Sequence, residues 1–475
     1  MIVWMKKSVI VIFGLVIGIF LLLRLTNLQN TFILFGDSAR DLLELYEWQQ
    51  TKLPPLLGPH TSALSFNQSA WYFYWLMPIY LLSAQSIYTA NIAVLAYYLL
   101  WFGLGLYSIK KGWLTVTELL VIAVAITIHP ELIKQLRQVW NPSFVLPLTL
   151  TIGLLLKKIH WPTITKKSLF LVTLCLALAV GLSYSIVPFA LVVCVYMTYQ
   201  LWKQYPQKKR QLSLFVIFLL LSTFMVNLGT IAFEFRYQFL LTKNLGNQQV
   251  LQVSTDQAEK WQQLIDAVFQ NQWVWLIFIV CLSFSFLLLK NNKIQTTQLE
   301  KSLSLLFLTL GTTLLFPFAV HGHYIFGILA LVLVVILAMP VLFQIVMLLT
   351  IGAFSVGWLL SSNLFLTTSP TTTEKRDCLQ WICEQHASPI YVVGNTASHD
   401  HQALEYSYLA KTIGCDAFAV TEITTQQPKT MAVFNQGADF ELGKTDFYEL
   451  NLFANSEYKK TTQCVDTLSV SIFSF

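Results

Sequence analysis

Through its first 365 residues the chain is a succession of apolar runs separated by short polar turns, each run near the length that crosses a hydrocarbon layer of roughly 30 Å. Runs near 8–25, 88–109, 114–130, 143–157, 168–185, 187–202, 212–233, 273–290, 303–320, 324–339 and 341–361 predict about 11 transmembrane helices. One further stretch, "SAWYFYWLMPIYLLSA" at 69–84, is short, aromatic and carries a central Pro, which suits a helix at the membrane interface. Counting it as a span instead would reverse the turns that follow. After "TTSPTTTEKRD" (367–377) the pattern changes to shorter segments. "EKRDCLQWICEQH" reads as a helix, "SPIYVVGN" as a strand, "DHQALEYSYLAKTIG" as a second helix, and "KTMAVFNQG" and "TLSVSIFSF" as further strands. The chain is thus predicted to be a polytopic α-helical membrane protein, with a membrane domain over 1–365, a first outer loop at 26–87, and a small extracytoplasmic α/β domain over 370–475.

Composition agrees with that class. The chain is 55% hydrophobic and only 11% charged, with a mean hydropathy of +0.60, far too apolar for a soluble protein of 475 residues. Residues 370–475 hold 7 Lys/Arg against 13 Asp/Glu, whereas residues 1–369 hold 23 against 11. The basic balance therefore comes from loop charges beside membrane lipids and predicts no nucleic-acid partner.

Lysines orient the spans. "MKKSVIVIFG" has Lys6 and Lys7 before the first run and no small-residue cleavage pattern after it, an uncleaved signal anchor with a cytoplasmic N-terminus. The clusters at 110–111, 157–167, 203–210 and 290–301 all fall on that same inner side if the spans number eleven. Four polar segments then face outward: 26–68, 129–143, 234–271 and 321–324. The C-terminal domain lies outside as well, and the expected location is the cell (plasma) membrane.

The outer segments hold the candidate chemistry. In "GDSARDLLELYEW", Asp37 and Asp41 are four apart and Arg40 is three from Asp37, so all three share a helix face. Such a carboxylate can take the proton of an attacking hydroxyl; the other reading is a solvated amphipathic helix with Glu44 and Glu47 as ordinary surface. "HPELIKQLRQVWNPS" offers Lys134, Arg137 and Asn141, cations on the side that the positive-inside tendency leaves poor in them. They suit a phosphate or an anchoring turn at lipid headgroups. Arg236 stands near the end of a span, and "HGHY" places His321, His323 and Tyr324 in an apolar run, where polar groups normally face a bundle interior. Phosphate or sugar contact ranks above metal ligation for this pair of histidines, since two His at i,i+2 make a weak metal signal. No cofactor is required by these motifs, and a divalent metal is left open. "GNTASHDHQ" (394–402) fits no metal spacing.

Taken in order, "GDSARD" (36–41), "LPPLLGPHTS" (53–62), "AWYFYWLMPIYLL" (70–82), "RQVWNPSFVLPLTLTIGLLL" (137–156) and "HGHY" (321–324) resemble the GT-C superfamily of membrane glycosyltransferases. The likeness is to family-39-like enzymes related to protein mannosyltransferases and lipid A aminoarabinose transferases. The resemblance implies a polyprenyl-phosphate sugar donor, a lipid, glycan or protein acceptor, and an inverting hexosyl or pentosyl transfer. It puts the family's first-loop acid on Asp37, with Asp41 as its neighbour in the motif, and basic groups on the departing phosphate. Two departures stand out. Ser38 follows Asp37 where many relatives carry an Asp-Glu pair, which removes one carboxyl ligand from any metal site. "QSAWYFY" stands where a Gly-Pro often precedes the aromatic cluster. The alternative reading is a transporter or flippase for a lipid-linked or small solute. That would favour repeated halves and mid-span charges, whereas here the charges crowd at one face.

Of seven cysteines, Cys175, Cys194 and Cys281 lie in apolar runs as packing residues. Cys378, Cys383, Cys415 and Cys464 fall in the tail, where an oxidising face predicts two disulfides in any of three pairings.

Overall fold

The computed structural model describes residues 7–60, 67–159, 164–203, 209–247, 257–269, 271–289, 293–315, 325–367, 370–386, 389–395, 403–419, 430–436 and 457–474. The chain divides into two compact units. The first comprises Met1–Leu25, Pro54–Ala84 and Tyr88–Ser362; the second comprises Thr26–Leu53, Gln85–Ile87 and Asn363–Phe475. Residues 26–53, which follow the first apolar helix, thus group with the tail, whereas 54–84 group with the helical body.

The first unit is a helical bundle, and its helices carry wide apolar surfaces. Four of them are long and apolar enough to cross a membrane: Thr89–Lys110, Tyr184–Lys203, Gln272–Leu289 and Val341–Ser361. Arg210–Val226 and Leu228–Arg236 would make a fifth span, bent by 63° at Asn227. Val9–Leu25, Val116–Ile128 and Phe326–Ala338 are shorter apolar helices. Leu220, Leu287, Leu349 and Leu360 stand exposed, as lipid-facing side chains do. This is a multi-pass membrane protein.

Hydrogen bonding at helix ends explains where several of these helices start and break. Thr115 caps Val116–Ile128 by accepting from the Glu118 amide at 3.1 Å, while Glu118 accepts from the Thr115 amide at 2.8 Å. At the 63° bend, the Val226 carbonyl accepts from the Ser69 hydroxyl and the Met225 carbonyl from the Trp71 indole at 3.4 Å. Those donors satisfy carbonyls that the broken helix leaves open. Gly229, the second residue of the second limb, leaves room for the Leu56 carbonyl, which any Cβ there would strike. Ser69 ends strand β2 (Asn67–Ser69), which pairs antiparallel with β1 (Leu57–His60). The aromatic stretch forms the helix Trp71–Leu82, whose 12 residues span about 18 Å, less than a hydrocarbon layer. At the centre of the bundle, every residue of Phe326–Ala338 is buried, a helix apolar all round and sheathed by neighbours.

The second unit is an α/β layer. Its sheet has the order β4-β3-β5-β7-β6, with β3 (Ile390–Asn395), β4 (Ala417–Ala419), β5 (Thr430–Asn435), β6 (Glu457–Val465) and β7 (Leu468–Ser474). β3 runs parallel to both β4 and β5, and β7 is antiparallel to β5 and β6. The helix Leu404–Ile413 makes the crossover from β3 to β4, as a parallel connection requires. Disulfides join Cys378 to Cys464 and Cys383 to Cys415. They staple the helix Thr372–Gln385 to β6 and to Cys415, two residues past the end of the crossover helix. Cys175, Cys194 and Cys281 are free. The helix Gly36–Thr51 belongs to this unit and packs on Leu404–Ile413.

Candidate active site

The helix Gly36–Thr51 is fixed at its start by a local device. Ser38 Oγ accepts from the Phe35 amide at 3.3 Å and donates to the Phe35 carbonyl at 3.0 Å. Ser38, Ala39, Asp41, Leu42 and Leu45 are its buried residues, a stripe at the 3.6-residue period. Asp41 therefore points inward with the apolar residues, where a lone carboxylate would be costly. Asp37 lies in the first turn, where the helix dipole favours negative charge.

Arg40 resolves both requirements. Its Nη1 lies 2.8 Å from Asp37 Oδ1, its Nη2 lies 2.9 Å from Asp41 Oδ1, and its Nε donates to the same Asp41 oxygen at 3.2 Å. The side chains grade from Asp41, 3% exposed, through Arg40 at 29%, to Asp37 at 43%. One guanidinium thus clamps a buried carboxylate and an accessible one in fixed relation. A turn further on, burial and then the charges of Glu47 and Asp41 push the Glu44 carboxyl upward, against a smaller pull from Arg40.

Chemically, an accessible carboxylate held by a charge-assisted bond can accept a hydroxyl proton, while the Arg40 fork keeps it in position. Among the described residues no three His, Cys, Asp or Glu side chains gather to hold a metal ion.

The other residues named from sequence lie in the helical unit or outside the described residues. Lys134 is exposed at the end of the short helix Pro130–Gln135. Arg137 is 2% exposed and its Nη1 donates to the Leu23 and Arg24 carbonyls at 3.3 and 3.2 Å. Burial lowers this guanidinium to about 10, so it stays cationic at neutral pH. Asn141 donates to Gln68 Oε1 and, at 2.6 Å, to the Leu182 carbonyl, tying the short 3₁₀ turn Asn141–Phe144 to β2 and to the end of Lys166–Leu182. Arg236 is exposed and lies 5.5 Å from the centre of the Tyr237 ring. His321, His323 and Tyr324 lie outside the described residues.

Arg24 was missed. It is fully buried, donates to the Thr127 and Ile126 carbonyls at 2.7 Å each, and lies over the Phe20 ring at 4.4 Å. Its guanidinium thus serves the C-terminal carbonyls of Val116–Ile128, where a cation is favoured. The signal lies in "LLLRL": a cation one residue inside the end of an apolar run needs an internal partner.

No protein-family model matches the chain, and no curated protein matches it in sequence. Solved structures do. ArnT from Cupriavidus metallidurans bound to undecaprenyl phosphate aligns with a TM-score of 0.60 and 11% identity, over 99% of this chain and 98% of that one. The apo state of the same protein aligns at 0.59 and 12%, over 98% of each chain. The arabinofuranosyltransferase AftD from mycobacteria aligns at 0.50 and 11%, over 99% of this chain and 40% of that chain. At these identities the likeness is one of fold, and it runs over nearly the whole length of the chain.

Proposed function

We propose that this protein is an integral-membrane glycosyltransferase that moves a sugar from a polyprenyl phosphate to an acceptor hydroxyl outside the cytoplasm. The observation that carries the reading is the Arg40 clamp on an accessible Asp37, in a chain whose fold matches a protein crystallised with undecaprenyl phosphate. In this scheme the acceptor O–H gives its proton to Asp37 as its oxygen bonds to the anomeric carbon. The bond from that carbon to the phosphate oxygen breaks, the polyprenyl phosphate leaves, and the anomeric centre inverts. Negative charge grows on the departing phosphate, so cations are needed there. Lys134, Arg137, Asn141, Arg236, His321, His323 and Tyr324 are the residues we assign to the phosphate and sugar. Arg40 and Asp41 hold the base. The acceptor is a lipid, glycan or protein.

The same reading places the protein in the plasma membrane with eleven spans, a cytoplasmic N-terminus, and residues 370–475 on the outer face. The test is transfer of labelled sugar from polyprenyl phosphate in membranes. Asp37→Asn keeps the shape and removes the base, and should lower turnover about 10²- to 10⁴-fold. Undiminished turnover would remove Asp37 from the chemistry. For orientation, a cysteine introduced at exposed Thr51 should react with an impermeant reagent added from outside. Labelling only from the cytoplasmic side would overturn the topology.

A further inference from the structure

The helix that bears Asp37, Arg40 and Asp41 rests on a second helix, Leu404–Ile413, within the same compact unit. Six consecutive residues of that second helix, Glu405–Ala410, are buried, so it is covered on every side. One of them is a carboxylate. Glu405 Oε1 lies 3.5 Å from Lys375 Nζ, and the two side chains are 6% and 5% exposed. Lys375 also lies 5.7 Å from the centre of the Tyr406 ring, which stacks on Phe434 of β5 at 3.9 Å. The ion pair therefore joins the helix Thr372–Gln385, the crossover helix and the sheet. Three hydrogen bonds tie the 363–475 part of this unit to its other segments, two of them to the residues just before the candidate site and one to Gln85. Thr372 Oγ1 donates to the Phe32 carbonyl at 3.1 Å, Asn27 Nδ2 to the Phe365 carbonyl at 2.8 Å, and the Tyr408 hydroxyl to the Gln85 carbonyl at 2.8 Å.

We infer that Lys375 and Glu405 are a positioning pair: they set the register of the crossover helix, and through it the placement of the Asp37–Arg40–Asp41 cluster. The physical reason lies in what buried ion pairs do. Desolvation cancels most of their attraction, and apolar residues of similar volume often replace them without loss of stability. What such replacement removes is a geometric constraint, because a charged pair tolerates one alignment where apolar side chains tolerate several. A tail domain stapled by two disulfides and keyed by one internal charge pair gives the carboxylate helix a rigid seat. Catalytic geometry needs that rigidity, since a misplacement of about 1 Å can cost 10²-fold in rate.

This inference rests on the reading of Asp37 as the base, and its test separates the two. The double variant Lys375→Met/Glu405→Leu in the full chain should keep its melting temperature within a few degrees. Hydrogen exchange of residues 36–51 should rise about tenfold, and kcat should fall about tenfold or more, with KM for the donor unchanged. Lys375→Arg, which keeps the charge, should behave as wild type. Unchanged exchange over 36–51, or kcat within twofold of wild type, would overturn the positioning role. If the double variant does not fold, the isosteric Glu405→Gln is read by the same two measurements against the same limits. The base assignment fails on a different result, full turnover by Asp37→Asn.

Discussion

Arg40 binds two carboxylates with different nitrogens, Asp37 through Nη1 at 2.8 Å and Asp41 through Nη2 at 2.9 Å. The arrangement depends on a planar fork, and a lysine supplies only a point charge. Arg40→Lys should therefore leave the protein folded yet lower sugar transfer roughly 10²-fold, because Asp37 loses its fixed position. Arg40→Ala should in addition cost about 1–3 kcal/mol, since Asp41 is 3% exposed and loses its cation. Transfer assays and thermal melts in detergent check both. Wild-type transfer by Arg40→Lys would show that the fork does not hold the base.

Glu44 gives a pH signature. Its carboxyl is pushed above the ordinary range, first by burial and then by Glu47 and Asp41. A carboxyl whose folded pKa is raised favours the fold when protonated. That contribution is complete below the unfolded value near 4.5 and is lost as pH rises through the folded value. At pH 7 an ionised Glu44 therefore opposes folding. Glu44→Gln should raise the melting temperature at pH 7 and give no gain at pH 4. Equal effects at the two pH values would contradict the shift.

The helical unit has a charge cluster of its own. Glu118 lies 3.0 Å from Lys157 Nζ and 2.9 Å from Lys158 Nζ, with Lys157 4% and Lys158 38% exposed. Removing Glu118 leaves Lys157 without its anion, so Glu118→Ala should cost about 3–5 kcal/mol. Lys158→Ala should cost less than about 1 kcal/mol, as partly exposed pairs do. Melts of the two variants should differ clearly; equal losses would mean that the pairing with Lys157 is not what holds the cluster.

The cysteines can be counted. The two tail disulfides leave three free thiols, Cys175, Cys194 and Cys281. Alkylation in denaturant without reductant should label three cysteines, and seven after reduction. Cys378–Cys464 closes the longer loop, with a separation of 86 residues, so Cys464→Ser should destabilise the unit by about 4 kcal/mol, more than Cys415→Ser. Four further thiols labelled before reduction would refute the pairing.

The sequence by itself determined what depends on composition and near neighbours. Long apolar runs make a helical membrane chain because backbone groups in lipid must pair within their own segment. The i, i+3, i+4 spacing put Asp37, Arg40 and Asp41 on one helix face, and four tail cysteines announced two disulfides without saying which. The count of crossing helices was less legible. Among the described residues four pass the test of length and apolarity, or five with the bent pair, because turns cut several runs short and the Trp71–Leu82 helix is itself brief. Only the tertiary structure decided the rest. It joined Cys378 to Cys464 across 86 residues, and set Lys375 against Glu405. It turned Arg137 onto the carbonyls that end the first helix, and grouped Thr26–Leu53 with the tail. Each of these joins residues distant along the chain, and no local period encodes a distant partner. Which buried charge meets which is settled only when the packed elements fix who is near, since an ion pair falls off with distance and must be closed within a few ångströms to offset its desolvation.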